Sequence, residues 1–313
     1  MTRAFVFPGQ ASQVVGMGRA LAEAFPVARH LLEEVEEALH EPLSRLMFEG
    51  PERELTLTEN AQPAIMAVSL AVIRVLEAEG GLDVAATANF VAGHSVGEYS
   101  ALVAARALSV AEAARLLKLR GRAMQQAVPP EAGAMAALVG LDLDQAQAVA
   151  EQAAGDDVCA CANDNAPGQV VVSGHRQAVE RAVAIAAERG ARRRVLLPVS
   201  APFHCPLMSP AAEAMAEALQ EVRIDRPVPP LVANVTATAV DDPAAIRELL
   251  VRQVTSMVRW RECVLYMKDA GVDSFVECGS GRVVTGLVRR IDRDLAAVSL
   301  KEPADIEAFL NTV

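Results

Sequence analysis

The chain opens on a short apolar run, Ala4 to Phe7, that ends at Pro8-Gly9. A run of that length closed by a turn pair predicts a buried strand followed by a tight turn. Helical periodicity then dominates as far as Gly80-Gly81, most plainly over Val14–Phe25 and Pro63–Ala78. Phe90-Val91-Ala92 is a second short apolar run, and it stops at Gly93. Helical spacing resumes over Glu98–Ala105 and Ser109–Ala127. Ser109 with Glu112 three residues later is a capping-box signature.

The pattern changes after Pro129-Pro130. Ala134–Leu141 reads as a strand and Leu143–Ala153 as a helix. Val158–Ala162 and Gln169–Ser173 read as strands around an Asn/Asp/Pro/Gly turn. Gln177–Glu188 reads as a helix and Arg194–Pro198 as a strand. That order, β-α-β-β-α-β, is the ferredoxin-like split. It predicts a small subdomain over residues 129–198, inserted into a large α/β domain made of residues 1–128 and 199–313. Beyond it come a helix over Pro210–Val222, the run Pro230–Val235, and helices near Ala244–Gln253 and Arg261–Ala270. Ser274–Cys278 then reads as a strand leading into Gly279-Ser280-Gly281 and a further helix. Alternating strands and helices with Gly-rich strand-to-helix turns predict an α/β fold with parallel strands.

Composition narrows the class. With 52% hydrophobic and 22% charged residues the chain has the make-up of a globular enzyme, not of a disordered segment. Aromatics are only 4%, so aliphatic and Ala-rich helices must fill the core. No uninterrupted apolar run reaches the length of a membrane span, and MTRAFVFPGQ lacks the long apolar core and cleavage site of a signal peptide. A cytoplasmic location without membrane association is expected. A formal net charge of −11 argues against nucleic-acid binding through a general basic surface. The odd count of five cysteines has no framework spacing, so disulfides are not expected. Cys159 and Cys161 form a C-x-C without a second ligand pair, which favours buried thiols over a metal site.

The sharpest chemical signal is Gly93-His94-Ser95-Val96-Gly97, a G-x-S-x-G between a strand and a helix. A serine on such a turn is exposed and strained, and small residues two positions either side let the turn close. The helix N-terminus that follows offers free N–H groups to an oxyanion. A serine hydroxyl also needs a base. His30 and His40 lie in charged helical text, His94 adjoins the serine on a turn whose neighbouring side chains diverge, and His175 begins a helix that it can cap. His204 lies in the loop Ser200-Ala201-Pro202-Phe203-His204 after a strand, and such loops hold catalytic groups disproportionately. It is the favoured base, against the alternative of a solvated loop histidine.

Taken together, these segments resemble the malonyl-CoA:acyl carrier protein transacylases, a fold shared by the acyltransferase domains of polyketide synthases. The matching text runs almost end to end. It comprises Phe5 to Gln10, Asn60 to Ala64, Gly93 to Tyr99, Arg120-Gly121, Gly133 to Met135, Asn163 to Gly174, Phe203-His204, Gln253, and Glu277 to Gly286. The resemblance implies a hydrolase-like core with a short parallel sheet flanked by helices. It implies Ser95 as nucleophile and His204 as base, with the backbone carbonyl of Gln253 orienting the imidazole. It further implies the Gln10 and Val96 N–H groups as the oxyanion hole and Arg120 as the ligand of the malonyl carboxylate. Bidentate recognition by a planar guanidinium suits that group. Phe203 hints at malonyl over methylmalonyl, because a bulky residue there fills the space of a branch methyl.

The implied reaction is a ping-pong transfer from malonyl-CoA to the phosphopantetheine thiol of an acyl carrier protein, supplying fatty acid synthesis. The expectation is a monomer that needs no metal or other cofactor. Arg192-Arg193-Arg194 and the group Arg282, Arg289 and Arg290 are candidate contacts for an acidic carrier protein, or ordinary solvated surface. One departure is Ala11, where the family usually has Gly. If that position needs positive φ, the Ala is strained by roughly 1 kcal/mol. The rival readings are a discrete acyltransferase of a polyketide synthase or malonate decarboxylase, a serine esterase, and a silent docking module. The esterase would need a triad acid between Ser95 and His204, and no loop acid there has a clear claim.

Overall fold

The computed structural model describes residues 2–129 and 131–312. Its strands are β1 (Arg3–Phe7), β2 (Phe90–Gly93), β3 (Gly133–Val139), β4 (Cys159–Ala166), β5 (Gln169–His175), β6 (Arg193–Leu196), β7 (Leu231–Val232), β8 (Ala239–Val240), β9 (Ser274–Cys278) and β10 (Ala296–Leu300). They form two sheets. The larger has the order β10-β9-β1-β2-β7-β8 and is parallel from β10 to β7, with β8 antiparallel at the edge. The smaller has the order β4-β5-β3-β6, and every neighbour is antiparallel.

β1 lies inside the parallel sheet, between β9 and β2. Ala4 through Phe7 are fully buried, which is why the strand reads as a continuous apolar run without alternation. β10 was not legible in the same way. It is an edge strand with Ala296 and Val298 exposed, so its apolar signal is diluted. The helix expected over Val14–Phe25 begins only at Arg19. Gly16 and Gly18 hold φ of 96° and 78°, and that left-handed backbone keeps the preceding residues in turns.

The long helix Thr58–Gly80 is the spine of the large body. It packs against the helices Pro26–Leu39 and Val110–Gln126. Its length and apolarity would let it cross a membrane, yet 83% of its apolar window is buried in protein. The helix Val110–Gln126 carries the expected capping box, with Ser109 and Glu112 bonding each other's backbone N–H.

Residues 133–196 run in the order β3, helix Leu143–Ala154, β4, β5, helix Arg176–Glu188, β6. Small residues such as Ala146, Val149, Val172 and Ala182 let the two helices lie close on this second sheet. β4 ties the sheet to the large body. The Asp164 N–H donates to the Val258 carbonyl and the Val258 N–H to the Ala162 carbonyl, both at 2.9 Å. The buried Asp164 carboxylate also pairs with Arg261 at 2.8 Å.

The parallel arrangement brings the loops after β1, β2 and β9 to one end of the sheet, where α/β proteins place their sites. Ser280 Oγ donates to the Ser12 carbonyl at 2.7 Å and joins two of these loops. The turn after β2 is closed by its glycines. A Cβ at Gly93 would lie 1.9 Å from the Gly97 carbonyl carbon, and one at Gly97 would lie 2.4 Å from the Phe7 oxygen. Gly97→Ala is therefore expected to lower unfolding stability by about 2 kcal/mol or more through overpacking. Gly286, helical and with nothing near its absent Cβ, supplies the contrast. Gly286→Ala should stabilise by about 0.5–1 kcal/mol. Thermal melts of both variants check the pair, and a neutral Gly97→Ala would contradict the packing described.

Candidate active site

Ser95 stands between the end of β2 and the helix Gly97–Ala104, in left-handed backbone with φ of 52°. Asn234 braces this strained turn. Its Oδ1 accepts the Ser95 N–H at 2.8 Å, and its Nδ2 donates to the Gly93 carbonyl at 2.8 Å. The side chain thus replaces the ladder bonds that the strand no longer makes.

The imidazole of His204 reaches Ser95 across 109 positions of sequence. Its Nε2 lies 2.8 Å from Ser95 Oγ, and its Nδ1 lies 2.8 Å from the Gln253 carbonyl oxygen. Gln253 is the last residue of the helix Pro243–Gln253, where carbonyls lack intrahelical partners, so its oxygen is free to accept. A carbonyl can only accept, so Nδ1 carries the proton and Nε2 is left as the acceptor for the serine hydroxyl. The helix C-terminus also favours positive charge on that ring.

Arg120 fixes the other side of the serine. Its Nη2 donates to Ser95 Oγ at 3.1 Å and to Gln253 Oε1 at 2.9 Å, and its Nη1 donates to Gln62 Oε1 at 2.9 Å. With Oγ accepting from Arg120, the hydroxyl hydrogen is free to point at His204. The guanidinium is 1% exposed, and among the described residues no carboxylate lies within ion-pair distance of it. Its Nε–H has no partner, and its Cζ stands 5.9 Å from the centre of the Tyr99 ring.

Burial and, second, the charge of Arg120 push the His204 imidazole down to about 3 from an ordinary value of 6.5. Burial pushes the Glu98 carboxyl up to about 8, against the pull of the Asn234 N–H, Arg120 and the Gln253 amide. Glu98, Asn234 and Gln62 were not singled out by role in the sequence. Each is a polar residue inside an apolar run, and that interruption is the signal that could have found them.

The remaining candidates fall around the same cleft of about 360 Å³, which lies between the two sheets' loops and is lined in part by Gln10, Ser95, Arg120, Asn163, Phe203 and His204. Gln10 forms its wall, and its side chain donates to Thr58 Oγ1 at 3.1 Å. Val96 is buried behind the serine. The N–H groups of Gln10 and Val96 have no hydrogen-bond partner among the described residues. Ala11 has φ of 77°, so the left-handed conformation considered from the sequence is the one adopted. His94 does not approach the hydroxyl as a base. Its Nε2 contacts Asn165 Oδ1 at 2.8 Å and its ring lies against Trp260. His175 sits at a helix start without capping it, and its Nδ1 accepts the Val158 N–H instead. Cys159 and Cys161 lie in β4, and no metal-holding group of three His, Cys, Asp or Glu occurs among the described residues.

A hydroxyl, an imidazole and a backbone carbonyl in series beside a buried cation define a serine acyl-transfer site. The family model described as the acyl transferase domain matches residues 4–297, and the chain belongs to that family. It is 44% identical to the malonyl CoA-acyl carrier protein transacylase of Escherichia coli K12, with 98% of each chain covered. It is 43% identical to the protein of the same description from Bacillus subtilis strain 168, covering 99% of this chain and 96% of that one. Among solved structures, the acyl-carrier-protein S-malonyltransferase of Bartonella henselae superposes with a TM-score of 0.97 at 53% identity, covering 100% and 99% of the two chains. A type II PKS acyl-carrier protein in complex with its malonyl-transacylase gives a TM-score of 0.97 at 41% identity, with both chains fully covered.

Because its folded-state value lies below the unfolded one, the neutral His204 contributes stability fully above pH 6.5. That contribution declines as pH falls from 6.5 toward 3. In the folded protein the ring should remain neutral at pH 5. Nitrogen chemical shifts of the His204 ring, followed by NMR between pH 8 and about 4, check this, and a midpoint near 6.5 would contradict it.

Proposed function

We propose that this protein transfers the malonyl group from malonyl-CoA to the phosphopantetheine thiol of an acyl carrier protein, through a malonyl ester on Ser95. Family membership and full-length relatives at 43–44% identity support the activity. The observation that carries the choice of acyl group is Arg120, a buried cation without a carboxylate partner, 3.1 Å from the nucleophile. Malonyl has one methylene between its thioester carbonyl and its carboxylate. A guanidinium in contact with the attacking oxygen matches that short span, and an acetyl group would leave it unpaired.

In the first half-reaction Ser95 Oγ attacks the thioester carbonyl while His204 Nε2 takes its proton. The Gln253 carbonyl holds the Nδ1–H of the resulting imidazolium. The N–H groups of Gln10 and Val96 take the oxyanion. The carbon–sulfur bond breaks, and the His204 proton goes to the departing coenzyme A sulfur. In the second half-reaction the carrier thiol gives its proton to His204 and attacks the ester, and the proton returns to Ser95 Oγ. Substrate binding also helps the base. A carboxylate on Arg120 offsets the charge that depresses the imidazole, so His204 becomes more basic when malonyl is in place.

All of these groups come from the chain, so the reaction is read as needing no metal or other cofactor. Phe203, 7% exposed in the cleft wall, is read as the residue that disfavours a branch methyl. Arg192, Arg193, Arg194, Arg282, Arg289 and Arg290 are exposed and suit an acidic carrier protein. The strand order and connections of residues 133–196 support the reading of a ferredoxin-like subdomain. We read it as residues 129–198 inserted into a hydrolase-like domain of residues 1–128 and 199–313. The enzyme is read as a cytoplasmic monomer.

Mass spectrometry after mixing with malonyl-CoA or acetyl-CoA, followed by transfer to purified carrier protein, tests the reading. A malonyl adduct on Ser95 is expected in the wild type and none in Ser95→Ala. Arg120→Ala should reduce kcat/KM for malonyl-CoA by about 100-fold or more, the loss of a charge-assisted bidentate contact, with a smaller fall for acetyl-CoA, so that the malonyl-to-acetyl ratio drops. An adduct that survives Ser95→Ala would defeat the assignment.

A further inference from the structure

Glu98 is 1% exposed and does not line the cleft, yet Ser95, His204 and Arg120 each lead to it within two contacts. One carboxylate oxygen accepts the Asn234 backbone N–H, and the other accepts Gln253 Nε2 at 2.6 Å. Asn234 is the residue that braces the Ser95 turn. Gln253 presents its carbonyl to His204 and its side-chain oxygen to Arg120. No basic side chain reaches Glu98 within ion-pair distance among the described residues. A buried carboxylate held this way is not explained by stability alone, because both its contacts are with neutral donors.

We propose that Glu98 is a positioning residue for acyl selection: it fixes the amide of Gln253, and that amide aims the Arg120 guanidinium at the acyl group. The inference rests on the reading of Arg120 as the carboxylate ligand. Arg120 can only donate to Gln253 and the Ser95 carbonyl can only accept from it, so the face of Gln253 turned toward Glu98 must be its NH2. The same NH2 lies 3.1 Å from the Ser95 carbonyl and 3.3 Å from Asn234 Oδ1, also acceptors. The Gln253 oxygen is thereby committed to the opposite side, where Arg120 Nη2 donates to it. Gln62 holds Nη1, so the guanidinium plane is set by two amide oxygens. Glu98 is kept one residue away from Arg120, so it does not occupy the position a substrate carboxylate needs.

Glu98→Gln keeps shape but breaks this logic. The new side chain has one oxygen for two donors, so its NH2 faces a donor whichever way it turns. Glu98→Asp loses a methylene but keeps two oxygens that can accept. The experiment compares kcat/KM for malonyl-CoA and acetyl-CoA in both variants, with thermal melts alongside. Glu98→Gln should lower the malonyl-to-acetyl ratio by about tenfold, a loss in transition-state binding specific to the charged donor, and Glu98→Asp should lower it less. A residue that only fills space would give the reverse order, or an equal fall with both donors, and either result overturns the proposal. If Glu98→Gln does not fold, Gln253→Leu keeps the backbone carbonyl that holds His204 and deletes the amide. It should lower the same ratio, and an unchanged ratio overturns the proposal. Arg120→Ala separates the two levels. If Arg120→Ala leaves the ratio unchanged, carboxylate recognition itself fails. If it lowers the ratio while the Glu98 variants do not, only the positioning role fails.

Discussion

The guanidinium of Arg120 sits inside the protein among neutral partners, and the neighbouring groups are arranged to hold it there. A charge taken out of water with no opposite charge beside it is unfavourable by several kcal/mol. Here it is met by the oxygens of Gln62 and Gln253, the Ser95 hydroxyl and the face of Tyr99. The Glu98 carboxyl lies behind Gln253, not against the guanidinium. The site is therefore electropositive at rest. The same positive charge adds to burial in keeping His204 neutral and directs the serine hydrogen toward it. One residue thus bears on the choice of acyl group, the protonation of the base and the orientation of the nucleophile. The interior is non-aqueous enough for each of these to act strongly.

The parallel sheet was legible because its central strands are buried on both faces. Ala4–Phe7 and Ser274–Cys278 read as strands at nearly their true bounds. The edge strand β10 and the two-residue strands β7 and β8 were not read as strands, since an exposed or very short strand leaves little apolar pattern. β4 runs on to Ala166 beyond its apolar part, through Asn163, Asp164 and Asn165. Those polar residues face the large body, and a reading by hydrophobicity ends at Ala162. Within the site, Ser95 stood out through its flanking glycines, whose necessity lies in backbone contacts of 2.4 Å or less for any added Cβ. His204 was favoured for its place in a loop after a strand, whereas Arg120 and Gln253 were placed by family resemblance. Composition alone could not have separated a buried guanidinium from a solvated one. Asn234 and Glu98 were missed because their partners, backbone groups and the Gln253 amide, lie far away in sequence, and spacing carries no trace of such contacts.

The same long-range contacts explain how the cleft keeps its shape. Ser95, His204 and Ala11 all hold positive φ, at 52°, 58° and 77°. Each such conformation in a residue with a Cβ is strained by about 1 kcal/mol or more, so it persists only where neighbours over-determine it. For Ser95 the neighbour is the Asn234 amide, and for His204 it is the Gln253 carbonyl. For Ala11 it is the Gln13 side chain, which accepts the Ala11 N–H at 2.8 Å. Local ladder bonds could not do this, because these residues lie past the ends of the strands that deliver them. The second sheet adds a further constraint, as β4 is bonded to Val258 and Asn165 to His94. Strain at the reacting residues is therefore balanced by bonds to elements that do not react. The nucleophile, the base and the loop that carries Gln10 are positioned before substrate arrives, which is the condition for stabilising a transition state without reorganising the site.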